Sequence, residues 1–514
     1  MIFEKELETE KLVERFCFSL TISQAFRRST IANHIKNFMV VLFPEWYRPE
    51  VASMIVTFNN YKQFDSMVNL TELSEPLTFK CEYQEKPVYL SAKSGFKLFP
   101  FSIEHSFINS TETLTHMYFN FKSHVKVEDN LKYKKVNIYL HSTNPEDIFT
   151  LLYYIFDPRL KDKNCHLTMD GKTIEINRKA ITLPMHGLTE ETQNVFFDSK
   201  NKLTPFLEVL NKLHHYFYIE IDLGYEFQLN TGDFKLYIPL HKQAHADLPN
   251  LKNFAHTNCI PVFDIYKDNI RTLSINNEDT EINKNVENKI KIATLEDHKL
   301  VHILSSRIYD LGTEESSPLP SDMFLESEIQ FSPTIPFNIE HKLVLKKNAR
   351  IRDSYLWLKG MRTQLLKDSH TIVGSALKTK DHSNMSFGNI LTEPSHTIFY
   401  CEILSDPEFF NFIYNWNHFL GKKMDNLEML SEYLAKIRHL FFNYKETFFK
   451  YFDEIKVIKW KMVARMSDEC KPLIISRYTI KASDNKAHYL YDRMLEKILT
   501  HIAETDLVYE IVRV

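Results

Sequence analysis

The sequence predicts an α+β fold: an N-terminal helical segment, then mixed-sheet domains with helices, then a C-terminal strand–helix–strand region. Three observations carry that prediction. Apolar residues recur at helical spacing in a few separate blocks, while long stretches alternate with the period of two that marks half-buried strands. Helices and strands do not alternate regularly, as a wound parallel sheet would require. The chain is also rich in aromatics, with 39 Phe and 25 Tyr against only 10 Gly, a composition suited to large cores or large interfaces.

In chain order, residues 1–49 read as two helices broken near Arg28–Thr30, where Ser29 can cap the second. Ile31, Ile35, Phe38 and Leu42 fall on one face of that second helix. Pro44 stops it, since proline lacks an N–H and moves Phe43 out of α geometry. Trp46, Tyr47, Arg48 and Pro49 make an unusually rigid, aromatic corner. Val51, Met54, Val56 and Phe58 then open a run of strands that continues to about Leu140. A helix is expected over Pro145–Phe156, and a hairpin turning on Asp170-Gly171. Thr204 and Pro205 open a further helix that runs into a strand near Ile219. Asn276–Lys299 is polar and reads as an exposed insertion. Glu315–Asn338, with four prolines, reads as a linker. Helices are then expected over about 406–421 and 427–452, strands at 457–465 and 472–483, a helix over 486–503, and a last strand at 508–514. The domain boundaries this implies are 1–49, 50–314, a linker at 315–338, and 339–514.

The composition also narrows function. The formal net charge of −4 gives no general pull toward nucleic acid. The six cysteines are scattered, without a CxxC pair, which argues against a zinc ribbon or a disulfide framework and fits a reducing cytoplasm. The acidic, amphipathic start is no signal peptide, and the longest apolar stretch, Ile148–Phe156, is too short to span a bilayer. A cytoplasmic protein with no direct membrane insertion is expected.

Neither phosphate-binding glycine motif occurs, nor a GxSxG elbow. The pattern that most resembles chemistry is His241 and His245, four apart, with His256 eleven further on. On one helix face the first two could ligate a metal, and the three together define the alternative reading, a metal-dependent hydrolase. The residue after His241 is Lys242, where a zincin needs glutamate, so no cofactor is expected. His214 and His215 are adjacent and face apart on a helix. Glu190-Glu191 and Glu314-Glu315 lie in polar loops and read as solvated. Arg350, Arg352, Lys359 and Arg362 interleave with Tyr355 and Trp357; this can stack a nucleic-acid strand, or snorkel its cations from an amphipathic segment, and the overall acidity favours the latter. No active site is expected, and neither enzymatic activity nor nucleic-acid binding.

The corner at Pro44–Pro49 is costlier than a helix-to-strand turn needs to be. The residues from Lys11 to Phe58 resemble the N-terminal signature of the TssF family (also called VasA or ImpG), baseplate subunits of type VI secretion. That family tends to show a VERL-like helix, a YPHYLRP-type corner and an SM-x-I-V-x-F strand. Here Val13-Glu14-Arg15, Phe43-Pro44, Tyr47-Arg48-Pro49 and Ser53-Met54 through Phe58 occupy the matching places. The corner departs from the family at Glu45 and at the Trp46-Tyr47 pair. Further segments are similar in the same order: "SGFKLFPFSIEHSF", "KVNIYLHSTNPEDIFTLLYYIF", "LTPFLEVLNKLHHYFYIEIDLGYEF" and "NCIPVFDIYKDNIRTLSINNEDTEI". The resemblance spans Lys11–Glu281.

The resemblance implies a structural wedge component of a contractile-injection baseplate, without enzymatic activity, in the bacterial cytoplasm at an inner-membrane-docked baseplate. Its implied partners are TssG-like, TssK-like and TssE-like subunits, a second copy of itself, and the VgrG spike hub. It further implies that the N-terminal helices join an inter-subunit bundle, with Leu12, Phe16, Leu20, Ile35, Phe38, Trp46, Tyr47 and Arg48 as candidate interface residues.

Overall fold

The structure is a computed structural model. It describes most of residues 51–391, together with 456–466, 472–481, 491–493, 495–496 and 507–513. Within 51–391 it leaves out 59–67, 70–77, 84–85, 93–95, 112–114, 124–130, 170, 185–212, 230–232, 276–287, 293–298, 311–314, 333–334, 347–353, 364–371 and 378–386. The N-terminal helices, the helix from Thr204 and the two helices of 406–452 therefore fall outside the described residues.

Among the described residues the architecture is dominated by antiparallel sheets. Ser53–Phe58 begins the largest, a six-stranded sheet in the order Ile372–Leu377, Thr78–Tyr83, Lys86–Ala92, Cys259–Phe263, Ser53–Phe58, Phe387–Ile390. The strand after the corner is therefore internal, and nearly every residue in it is buried. A five-stranded sheet carries the main aromatic packing. Thr115–Ser123 turns Met117, Phe119 and Phe121 inward, and they stand opposite Ile238, Leu236 and Phe234 of Phe234–Leu240. The Phe121 and Phe234 rings stack at 4.3 Å, and Phe101 meets Phe121 edge-on at 5.7 Å. Such cross-strand aromatic pairs set register as well as stability. A four-stranded sheet of Ile181–Thr182, Tyr218–Leu229, Leu131–Leu140 and Ala255–His256 completes this body.

The helix over Pro145–Ile155 forms where the caps predict it. The Asn144 side chain accepts from the Glu146 N–H, Pro145 opens the first turn, and Glu146 and Asp147 lie at its positive end. It buries Ile148, Phe149, Leu151, Leu152, Tyr154 and Ile155. The expected hairpin joins Cys165–Met169 to Lys172–Ile176, with Gly171 at φ 74°, a conformation that glycine adopts without strain.

A second, smaller core lies between two further sheets. One has the order Tyr266–Ile275, Ser354–Thr363, Lys299–Asp310, Ser316–Pro318; the other is Asn288–Lys291, Ile335–Leu345, Met323–Ser332. Ile292, Leu300, Ile308, Met323, Leu343, Leu345, Leu356 and Leu358 fill the space between them.

Two sequence-based expectations change here. Glu315–Asn338 is no linker, because it supplies Ser316–Pro318, Met323–Ser332 and the start of Ile335–Leu345. Pro318 ends an exposed edge strand, and Pro336 lies beside the register shift at Gln330–Ser332, places where a ladder donor is not needed. Strands on both sides of it share sheets. Ser354–Thr363 pairs with Tyr266–Ile275, while Ile372–Leu377 and Phe387–Ile390 join the sheet of Ser53–Phe58. Asn276–Lys299, read as an exposed insertion, contains the paired strand Asn288–Lys291 and the buried Ile292.

At the C-terminus, Lys456–Met466 runs antiparallel to Pro472–Lys481, which runs parallel to Leu507–Arg513. Parallel neighbours need a crossover, and helical residues at 491–493 and 495–496 lie in that connection. This is the expected strand–helix–strand region. Tyr478, Ile480, Tyr491, Leu495 and Ile511 join the main core, and Tyr491 meets Phe149 at 5.8 Å.

Candidate interaction surfaces

The candidate interface residues Leu12, Phe16, Leu20, Ile35, Phe38, Trp46, Tyr47 and Arg48 lie outside the described residues. The described chain begins where the corner ends, with Val51 and Ala52 buried and the Ala52 carbonyl accepting from the Asp264 N–H at 2.9 Å. Whatever the corner contacts, it is joined directly to an internal strand of the largest sheet.

The histidines are not brought together as a metal site. His241 precedes the short helix Gln243–Asp247, accepts from the Gln243 N–H through Nδ1 at 3.2 Å, and stacks on Tyr154. His245 is exposed on that helix. His256 is in a strand paired with Tyr139 and lies beside His141, with ring centroids 6.2 Å apart. Among the described residues no group of three or more His, Cys, Asp or Glu could hold a metal ion. His241 is not in the helix that carries His245, so the i, i+4 spacing does not place the two on one helix face.

His256 has a different consequence. Burial first, and then the neighbouring His141, lower its pKa from 6.5 to about 4. The unfolded chain takes up this proton more readily than the folded one. The resulting stability is present above about pH 6.5 and lost as pH falls through about 4, on the order of 3 kcal/mol for this group. Denaturant unfolding of wild type and His256→Gln between pH 7 and 4 should show a shallower pH dependence in the variant. Parallel curves would refute the assignment.

One pairing escaped the sequence reading. Ser53 Oγ and His215 Nε2 lie 3.2 Å apart across 162 residues, the juxtaposition a hydrolytic dyad would use. Ser53 is 0% exposed and His215 1%, so no substrate reaches them, and the contact is core packing. His215 also sets its ring edge-on to Phe263 at 5.7 Å, and the His214 ring meets it edge-on at 4.5 Å.

Of the basic–aromatic run, Arg350 and Arg352 lie outside the described residues, while Ser354–Thr363 is a strand between Tyr266–Ile275 and Lys299–Asp310. Arg362 is buried and pairs with Asp268 at 3.5 Å, while Leu356 and Leu358 face the second core. Alternate residues face out, with Trp357 47% exposed and stacked on Tyr309 at 5.7 Å. Among the described residues the other exposed large apolar residues are Leu304 and Phe324, and, in the C-terminal sheet, Ile458, Met462 and Ile474. No described helix is long and apolar enough to cross a membrane.

Two solved assemblies contain chains of this fold. A chain of the type VI secretion system TssK-TssF-TssG baseplate subcomplex superposes with a TM-score of 0.69 at 13% identity, covering 98% of this chain and 96% of that one. A chain of the baseplate complex from the type VI secretion system gives 0.54 at 12% identity, over 93% and 85%. No family model matches the sequence, and no curated protein does.

Proposed function

We propose that this chain is a structural subunit of a type VI secretion baseplate, of the TssF kind, without catalytic activity of its own. The observation that carries the proposal is the likeness to a baseplate-subcomplex chain over nearly the whole length of both. The ordered sequence resemblance to TssF between Lys11 and Glu281 supports it, and rests on residue identities rather than on shape. In this reading the chain is a wedge component. It assembles with TssG-like and TssK-like subunits, then with a TssE-like subunit, a second copy of itself and the VgrG spike hub, at a baseplate docked on the inner membrane. The N-terminal helices enter an inter-subunit bundle, and the corner sets the direction in which the chain leaves it.

The test is co-expression. Alone, a subunit that buries aromatic surface against partners should aggregate or self-associate; with a TssG-like partner it should elute as a defined complex. Trp46→Ala and Arg48→Ala should abolish pull-down of that partner while leaving thermal unfolding of the chain within a few degrees of wild type. Substitutions in an ordinary packed corner would instead cost about 2–5 kcal/mol in the chain itself. Full partner binding by both variants would remove the corner from the interface. A well-behaved monomer with no affinity for the partner would overturn the baseplate reading.

A further inference from the structure

Lys456–Met466 is an 11-residue strand at the end of its sheet. One edge pairs with Pro472–Lys481, and no strand among the described residues pairs with the other. Folded proteins usually shorten, bend or cover such an edge, because its open N–H and C=O groups invite another strand. This one bends only at the register shift between Val457 and Lys459, and from Lys459 to Met466 it runs regularly for roughly 25 Å.

The two faces of the strand differ chemically. Trp460 and Met462 stand opposite Tyr478 and Ser476, and Trp460 Nε1 donates to Ser476 Oγ at 3.0 Å. Tyr478 and Ile480 on this face belong to the main core, whereas Met462 is 48% and Ile474 47% exposed. Among the described residues the apolar surface therefore runs out of the core at Tyr478 and becomes exposed at Ile474 and, on the edge strand, at Met462. On the opposite face Lys459 and Lys461 stand across from Thr479 and Arg477. Arg477 is held by Glu510 at 2.6 Å, while both lysines are exposed with no carboxylate against them among the described residues.

We propose that Lys456–Met466 is a strand-addition site for an extended segment of a partner protein in which apolar and acidic residues alternate. Backbone hydrogen bonds to the open edge would supply affinity. Apolar side chains of the incoming strand continue the Met462–Ile474 surface, and its carboxylates, on the other face, meet Lys459 and Lys461. A second copy of the same strand fits poorly, since it would bring lysine-bearing faces together across the new pairing. The inference stands on the geometry of the strand and is independent of the assembly proposed above.

The test uses the full chain, held in solution by an N-terminal solubility fusion, and a labelled peptide of alternating Val and Glu. The peptide should bind, and hydrogen exchange should slow across 456–466. Carrying Lys459→Glu and Lys461→Glu together, exposed substitutions whose folding is checked by an unaltered circular-dichroism melt, should weaken binding roughly tenfold or more. The same double variant should gain affinity for an alternating Val–Lys peptide. A Val–Glu peptide N-methylated at alternate residues, on the edge that would pair, should not bind. No binding, binding indifferent to the charge exchange or to N-methylation, or binding without protection at 456–466 would each overturn the proposal. Self-association that protects the same amides would assign the edge to a second copy, and overturns it equally.

Discussion

Replacing Arg178 with Met should lower the stability of the folded chain by about 3–5 kcal/mol. Arg178 is 6% exposed, yet it carries a guanidinium into the main body. It donates to the Pro239 carbonyl at 2.6 Å, to the Tyr154 carbonyl at 3.0 Å and to the Ile155 carbonyl. The last two are carbonyls that the helix Pro145–Ile155 leaves unpaired at its negative end. Pro239 lies in the strand Phe234–Leu240, so one side chain ties the helix terminus to the aromatic sheet. Burial pulls the arginine's pKa below its ordinary value, while the neighbouring Cys165 thiol and Asp157 carboxylate act in the opposite direction. Methionine keeps much of the volume but leaves three carbonyls without a donor. Lysine supplies a point charge without the planar fork, and should fall between the two. Urea unfolding of the three proteins orders them; an Arg178→Met midpoint equal to wild type would show that the carbonyls find other partners.

Asn258→Ala should cost about 2–4 kcal/mol, combining lost hydrogen bonds with backbone strain. Asn258 sits at φ 57°, a left-handed conformation that asparagine tolerates and alanine does not. Its side chain accepts from the Phe99 N–H at 2.6 Å and donates to the Phe99 and Phe101 carbonyls at 2.9 and 3.1 Å. Its own carbonyl accepts from the Phe58 N–H at 3.0 Å. The residue thus joins the end of the Ser53–Phe58 strand to the chain at Phe99–Phe101. Asn258→Gly relieves the strain but not the lost bonds, so it should be more stable than the alanine variant by about 1 kcal/mol. Equal midpoints for glycine and alanine would mean that the left-handed backbone contributes nothing.

Neither residue stood out in the sequence, because a lone arginine after a hairpin and a lone asparagine before a strand carry no local signature. The corner did stand out, and so did the resemblance to the TssF family, since both reside in consecutive residue types. The Ser53–His215 contact, the burial of Arg362 and the separation of His241 from His256 all depend on which strands lie side by side.

By itself the sequence determined the α+β class, the helix at Pro145, the hairpin at Gly171, the strand that begins at Ser53 and the strand–helix–strand region at the C-terminus. Each follows from caps, turn residues or a two-residue period, and these act within a few positions of one another. Only the tertiary structure decided the pairings. Ile372–Leu377 and Phe387–Ile390 complete a sheet whose other strands lie before Asp264, and the proline-rich stretch at 315–338 became strands because the second core buries Met323 beside Leu343 and Leu345. The same held for the edge at Lys456–Met466. Alternation says that a segment can be a strand, but a strand's neighbours are chosen by the apolar surface that remote parts of the chain have left to cover.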